Sequence, residues 1–169
     1  DRDKFEVIAV SYGIDDGSEM RKRLVKAFDQ FHDVQSLGDR ETAELLASLD
    51  VDIAIDLMGF TDMGRNGVFA RRPAPVQVNY MGFPGTLGAN FIDYIIADRI
   101  VLPLDRQPFY AEKIVQLPDS YLANDDRREA AGIPPPRSEA GLPEQGFVFC
   151  CFNNNWKINA PLFDIWMRL

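Results

Sequence analysis

A chain of 169 residues, 46% hydrophobic and 26% charged, has the size of one ordinary globular domain, or of one domain and a piece of another. Its net charge of −8 excludes a general nucleic-acid surface, which needs clustered cations to displace phosphate counterions. No run approaches the roughly 18 apolar residues of a membrane-spanning helix, and the adjacent pair Cys150-Cys151 with a lone His32 offers neither a disulfide framework nor a zinc-ligand spacing.

The charged start Asp1-Arg2-Asp3-Lys4 lacks a following apolar signal core, so the cytoplasm is the expected compartment. Residues 5–11 read as a buried strand rich in β-branched side chains. Asp16 and Glu19 have capping-box spacing. The helix they open is expected to carry Met20, Leu24, Val25, Phe28 and Phe31 on one apolar face. A short strand at 33–37 and a helix at 39–48 follow. Residues 51–58 form the clearest strand, ended by Gly59. A helix around 64–70 is stopped by Arg71-Arg72-Pro73-Ala74-Pro75. Residues 76–81 form the next strand, and the tight loop Gly82-Phe83-Pro84-Gly85-Thr86 leaves its C-terminal end. Two further short strands are expected at 92–97 and 113–117.

Strands alternating with helix-length segments predict an α/β, Rossmann-like parallel sheet with helices on both faces. Ligands of such sheets bind at the C-terminal strand ends, here the loops after Met58 and Met81. Residues 1–123 are expected to belong to this first domain. Residues 124–145, with Pro134-Pro135-Pro136, read as a linker. Residues 146–169 read as the first strand (146–152) and helix (from Ala160) of a second α/β domain, the rest of which lies beyond Leu169.

Two loops carry candidate chemistry. In Tyr80-Met81-Gly82-Phe83-Pro84-Gly85-Thr86 the small residues let backbone N–H groups approach a ligand, and Thr86 adds a hydroxyl. On spacing alone, a plain strand-to-helix turn is the commoner explanation. In Phe152-Asn153-Asn154-Asn155-Trp156-Lys157-Ile158 the lysine is placed to meet a phosphate, the amides to meet phosphate or sugar oxygens, and the following helix N-terminus to add its dipole. A solvated Asn-rich turn fits that spacing equally. Arg65, Arg71 and Arg72 form a small basic group for which solvated surface is the commoner reading. Asp52 and Asp56 share a strand face at i and i+4, as strand-end polar residues also do. With His32 the sole histidine, no Ser-His-Asp or Cys-His set is available.

The segment from Arg65-Asn66 through Phe69-Ala70-Arg71-Arg72-Pro73-Ala74-Pro75-Val76-Gln77 to Gly82-Phe83-Pro84-Gly85-Thr86 resembles the catalytic region of the O-GlcNAc transferase and SPINDLY-type family. Phe91-Ile92-Asp93-Tyr94-Ile95-Ile96-Ala97-Asp98, Asp3-Lys4-Phe5-Glu6-Val7, and Cys151-Phe152-Asn153-Asn154 with Lys157-Ile158 continue the likeness in the same order. The resemblance implies part of a two-Rossmann-domain (GT-B) enzyme, usually preceded by tetratricopeptide repeats in the same chain. Such enzymes transfer N-acetylglucosamine from UDP-GlcNAc, or in SPINDLY-type members fucose from GDP-fucose, to Ser or Thr hydroxyls of an acceptor protein, without a metal or other cofactor.

Carried over by the resemblance, Lys157 sits on the diphosphate and stabilises the leaving nucleotide. Asn154 takes the neighbouring polar position, where animal members carry Gln, and Trp156 stands where they carry Tyr. Met81, Gly82 and Pro84 line the sugar pocket together with Thr86, and Arg65 lies on the acceptor side. The short Pro-rich linker in place of a long animal insertion points to a bacterial-type member. The family's His-Pro segment is expected before residue 1 and its nucleoside-binding residues after Leu169, so the isolated fragment is expected to be inactive. The chemistry is consistent with the pattern, because a metal-free transfer leaves charge on the departing diphosphate that a lysine and a helix N-terminus must take up. The alternative is a non-catalytic Rossmann-like module that binds a partner protein.

Overall fold

The computed structural model describes residues 1–125 and 132–169. The chain divides into two compact units, Asp1–Asn124 and Asp125–Leu169. In the first unit, β1 (Ile8–Ser11), α1 (Glu19–Ala27), β2 (Gln30–Asp33), α2 (Asp39–Ser48), β3 (Ile53–Asp56), α3 (Asn66–Phe69), β4 (Val76–Tyr80), β5 (Tyr94–Asp98) and β6 (Lys113–Leu117) follow in order, with a 3-10 turn at Leu104–Phe109 before β6. β1 and β2 form a two-stranded sheet, and β3-β4-β5-β6 a four-stranded one. Every pairing is parallel. These are parallel sheets with flanking helices, the Rossmann-like α/β class.

The four-stranded sheet buries one face by alternation. Ala54 stands opposite Gln77, and Asp56 opposite Asn79, which stands opposite Ile95. All five residues are buried. Ala43 and Leu46 of α2 pack with Val68 of α3, and Val10, Val51 and Phe69 close around them. A second cluster joins Ile95, Ala97 and Leu102 with Tyr110 and Ile114. The other side of β3 is different: Ile53 and Ile55 are 54% and 49% exposed.

Several local expectations change. The N-cap of α1 is Ser18, whose hydroxyl accepts from Arg21 N–H at 3.1 Å. Asp16 instead accepts from Ser18 N–H at 3.0 Å, in a turn one step earlier. The Glu-side half of a capping box occurs at α2, where Glu41 accepts from Gly38 N–H at 2.8 Å. The helix α1 ends at Ala27, and Phe31 belongs to β2. Because the i+3 spacing of Phe28 and Phe31 continues the helical period, the sequence pattern ran past the break. α1 buries no residue, and Met20 and Leu24 stay 58% and 44% exposed.

The second strand lies at Gln30–Asp33 rather than 33–37, since pairing with Ile8–Ser11 sets its register. Asp33 then turns the chain by accepting from Gln35 N–H. The helix expected at 64–70 shrinks to Asn66–Phe69.

In the second unit, Asn155–Lys157 forms a 3-10 turn and α4 spans Ala160–Trp166. The strand expected at 146–152 is not formed. A strand exists through its ladder partner, and the described residues of this unit hold no other strand. Phe147, Phe149 and Phe152 accordingly remain 83%, 65% and 96% exposed. The linker reading of 124–145 falls in part on residues outside those described.

Asp98 closes β5 and gives a stability test. Its carboxylate accepts from Ile100 N–H (2.9 Å) and Val101 N–H (2.8 Å) on one oxygen and from Tyr121 N–H (2.9 Å) on the other. The Val101 and then the Tyr121 hydrogen bond hold its pKa below the usual carboxylate range, against an opposing desolvation. The unfolded carboxyl titrates near about 3.9. The folded-state benefit is therefore complete above that value and disappears as pH falls through the lower folded one. Asp98→Asn turns an amide NH₂ toward one of these N–H groups. It is expected to lower the urea midpoint at pH 7 and to shrink the gap between pH 7 and pH 3. An unchanged acid limb in urea titrations contradicts this.

Candidate active site at the ends of β3 and β4

β3 and β4 are neighbouring parallel strands, so the loops that follow Asp56 and Tyr80 leave the same sheet edge, where ligands of such sheets bind. Asp56 is buried and turns the first loop by accepting from Met58 N–H at 2.9 Å and Gly59 N–H at 3.1 Å. Asp52 stays exposed, so the two aspartates play separate parts rather than forming a pair.

The second loop opens at Met81, which has φ +74. A non-glycine side chain in this left-handed region is strained and persists only where its surroundings hold it. Gly82 follows because nothing larger fits: a Cβ there would collide with the carbonyl oxygens of Leu57 and Met58, the latter at 2.6 Å. The two loops are thus in backbone contact. Fully buried Asn79 supports the second loop from below, donating to the carbonyls of Phe83 (3.2 Å) and Gly85 (3.4 Å). Phe60 and Phe83 meet edge to face at 6.3 Å and make an apolar rim. Gly82, Phe83 and Pro84 face solvent, Met81 and Thr86 are half-buried.

Thr86 has no free valence. Its hydroxyl donates to Glu112 at 2.6 Å and accepts from Gly88 N–H at 2.9 Å and Ala111 N–H at 3.3 Å. Arg65 is committed too. Its guanidinium donates to Asp39 (2.8 Å) and to the Leu37 carbonyl (2.9 Å), and it lies 5.6 Å from the Tyr12 ring centroid. Arg72 pairs with Asp93 at 3.1 Å, so Arg65 and Arg72 are held in separate structural contacts. Burial raises the Asp93 carboxyl, but the Gln77 N–H and then Arg72 outweigh it and leave the group below its ordinary range.

Three contributors escaped the sequence reading. Tyr12 follows β1, and its hydroxyl pKa is raised by burial first and by Asp56 second, Arg65 opposing. Asn79 and Glu112 are both fully buried. Asn79 sits inside a strand pattern, and Glu112 lies 26 residues from the Thr86 it holds, so no local motif marked either.

In the second unit, Lys157 N–H donates to the Asn154 carbonyl at 3.0 Å. The Lys157 ammonium lies 5.5 Å from the Trp156 ring centroid. Asn159 caps the seven-residue α4, accepting from Leu162 N–H at 3.0 Å. Both Asn154 and Lys157 are exposed. Among the described residues, no group of three or more His, Cys, Asp or Glu is arranged to hold a metal ion, and no helix is long and apolar enough to cross a membrane.

Parallel strands with flanking helices, whose loops converge at one edge around a strained residue and a sterically required glycine, define a Rossmann-like α/β domain. A solved Thermobaculum terrenum O-GlcNAc transferase mutant has the same fold, with a TM-score of 0.83 and 31% identity over 99% of this chain and 31% of that one. The architecture is therefore that of part of a GT-B glycosyltransferase.

The chain belongs to Glycosyl transferase family 41, whose model matches residues 1–133. It is 37% identical over 173 aligned residues to an Arabidopsis thaliana protein named "Probable UDP-N-acetylglucosamine--peptide N-acetylglucosaminyltransferase SEC", covering 99% of this chain and 18% of that protein. A Eustoma exaltatum subsp. russellianum protein of the same name, ending in SPINDLY, is 31% identical over 100% of this chain and 18% of its own length. The chain thus spans about a fifth of the length of the curated relatives it matches.

Proposed function

We propose that this chain is part of an enzyme that moves N-acetylglucosamine from UDP-GlcNAc to Ser or Thr hydroxyls of proteins without a metal. The observation that carries the reading is the Met81–Thr86 loop: a strained residue and an obligatory glycine at the ligand-binding edge of a family 41 fold. In the reaction the acceptor oxygen bonds to the sugar's anomeric carbon, the bond from that carbon to the diphosphate breaks, and the hydroxyl proton passes to a base. Negative charge gathers on the departing diphosphate. Lys157 meets that charge as a point cation, with Asn154 beside it. Met81, Gly82 and Pro84 line the sugar subsite through backbone and apolar contacts.

Thr86 and Arg65 support this reading from behind the surface. The three hydrogen bonds of the Thr86 hydroxyl make it a support of the donor loop. Arg65 braces the acceptor side through Asp39 and Leu37. The full-length chain would carry tetratricopeptide repeats and work in the cytoplasm on acceptor proteins. Neither nucleic acid nor membrane enters this reading.

The test is donor binding and hydrolysis by the full-length protein, with UDP-GlcNAc and GDP-fucose side by side. Tighter binding and turnover of UDP-GlcNAc are expected; preference for GDP-fucose reassigns the sugar, and indifference to both sinks the transferase reading in favour of a protein-binding module. The isolated 169-residue chain is expected to transfer no sugar, because it covers only 18% of the matched relatives' length. Transfer by this fragment at a rate near that of the intact protein contradicts that expectation.

A further inference from the structure

We infer that Glu112 is a positioning residue that holds the donor loop in its working shape, an inference that rests on the proposed glycosyl transfer. Glu112 is 0% exposed. It stands immediately before β6, 26 residues beyond the loop it touches. Its two carboxylate oxygens are divided between two consecutive loop residues. One accepts the Thr86 hydroxyl at 2.6 Å and the other accepts Leu87 N–H at 2.7 Å.

A buried carboxylate is costly unless hydrogen-bonded, and an apolar side chain would fill the same space more cheaply. What the carboxylate adds is direction. The Thr86 oxygen already accepts from Gly88 N–H and Ala111 N–H, which fills both its acceptor positions. Its proton therefore needs an acceptor, and Glu112 supplies one. On the neighbouring residues the grip repeats: the Tyr110 hydroxyl donates to the Pro84 carbonyl at 3.0 Å, and Gln107 donates to the Glu112 carbonyl at 2.9 Å. The lead-in to β6 at 110–112 thus clasps the loop at Pro84, Thr86 and Leu87. Asn79 holds the same loop from the other side, through the Phe83 and Gly85 carbonyls. Met81, Gly82 and Pro84 owe their placement to this clasp.

The test uses the full-length protein with Glu112→Gln, Thr86→Val and the double variant. The glutamine keeps the size and one acceptor, but it offers an NH₂ either to the saturated Thr86 oxygen or to the Leu87 N–H. Two readouts are paired: amide hydrogen exchange across residues 82–88, and separate KM values for donor and acceptor. Each single variant is expected to speed loop exchange at least about tenfold and to raise donor KM about tenfold or more, leaving acceptor KM within about twofold. The double variant is expected to fall short of the sum of the two singles, since both break the shared Thr86–Glu112 hydrogen bond. Leu46→Ala, a change in the separate core cluster of α2 and α3, serves as the stability control: it lowers Tm while leaving donor KM unchanged.

Unchanged loop exchange in Glu112→Gln overturns the inference. So does a rise in donor and acceptor KM together that Leu46→Ala reproduces at equal loss of Tm. If the unaltered protein binds no nucleotide sugar, the transferase reading fails by itself. The exchange measurement still decides whether Glu112 holds the loop.

Discussion

Lys157→Ala is expected to lower kcat of the full-length enzyme by about 100-fold, the loss seen when one donor to a developing oxyanion is removed. Donor KM rises as well, since a charge-assisted hydrogen bond to phosphate contributes about 1.5–3 kcal/mol in the ground state. The fall in kcat is the informative part. An interaction that merely bound the donor would raise KM alone, whereas one that strengthens as the diphosphate departs lowers turnover. The Lys157 ammonium lies over Trp156 on an exposed 3-10 turn, so its removal leaves no cavity and no buried partner unpaired. Folding stability should therefore be unaffected, and loss of activity can be read as chemistry. Steady-state kinetics with UDP-GlcNAc, alongside thermal melting, check both halves. Near-normal turnover in Lys157→Ala would show that the Asn-rich loop is only a surface turn.

Gly82→Ala is the second large effect, and its origin is steric. The added methyl group is driven against the Leu57 and Met58 carbonyls, which belong to the neighbouring loop and cannot rotate away as a side chain would. Overpacking of this kind costs about 1–3 kcal/mol. The loop relieves it by moving off, which also frees Met81 from the conformation that holds it at φ +74. A displacement of about 1 Å at a reacting centre costs on the order of 100-fold in rate. Activity should thus fall further than stability. Urea titration and kcat/KM measured on the same preparation separate the two. Full activity with an unshifted urea midpoint would mean that the loop has room the structure does not give it.

The two substitutions differ in how legible they were. Lys157 stands out in a row of asparagines, and the role proposed for it came from a local pattern together with a family likeness. Gly82 was legible as a small residue in a turn, but the reason for it was not. That reason is the carbonyl pair on another strand's loop, 24 and 25 residues back in the chain. Thr86 and Arg65 show the same limit from the other direction. Each has a ligand-binding side chain at a plausible position, and each proves to be committed to Glu112 or to Asp39 and Leu37. Hydrogen-bonding capacity is finite, and only coordinates reveal which part of it is taken.

By itself the sequence determined the alternation of strands and helices, the parallel α/β class, the edge carrying the candidate loops, and the family. Those features follow from short-range signals: β-branched runs, turn residues and a specific stretch from Arg71 to Thr86. Where long-range pairing decides, the sequence was silent or misleading. Register with β1 drew the second strand back to Gln30–Asp33. Lack of a ladder partner left 146–152 without a strand among the described residues. Tertiary structure alone disclosed the supports of the Met81–Thr86 loop, because a buried Asn79 inside a strand and a buried Glu112 before another carry no local signature. Their meaning lies in hydrogen bonds to distant backbone, and those bonds exist only once the sheet has brought the strand ends together.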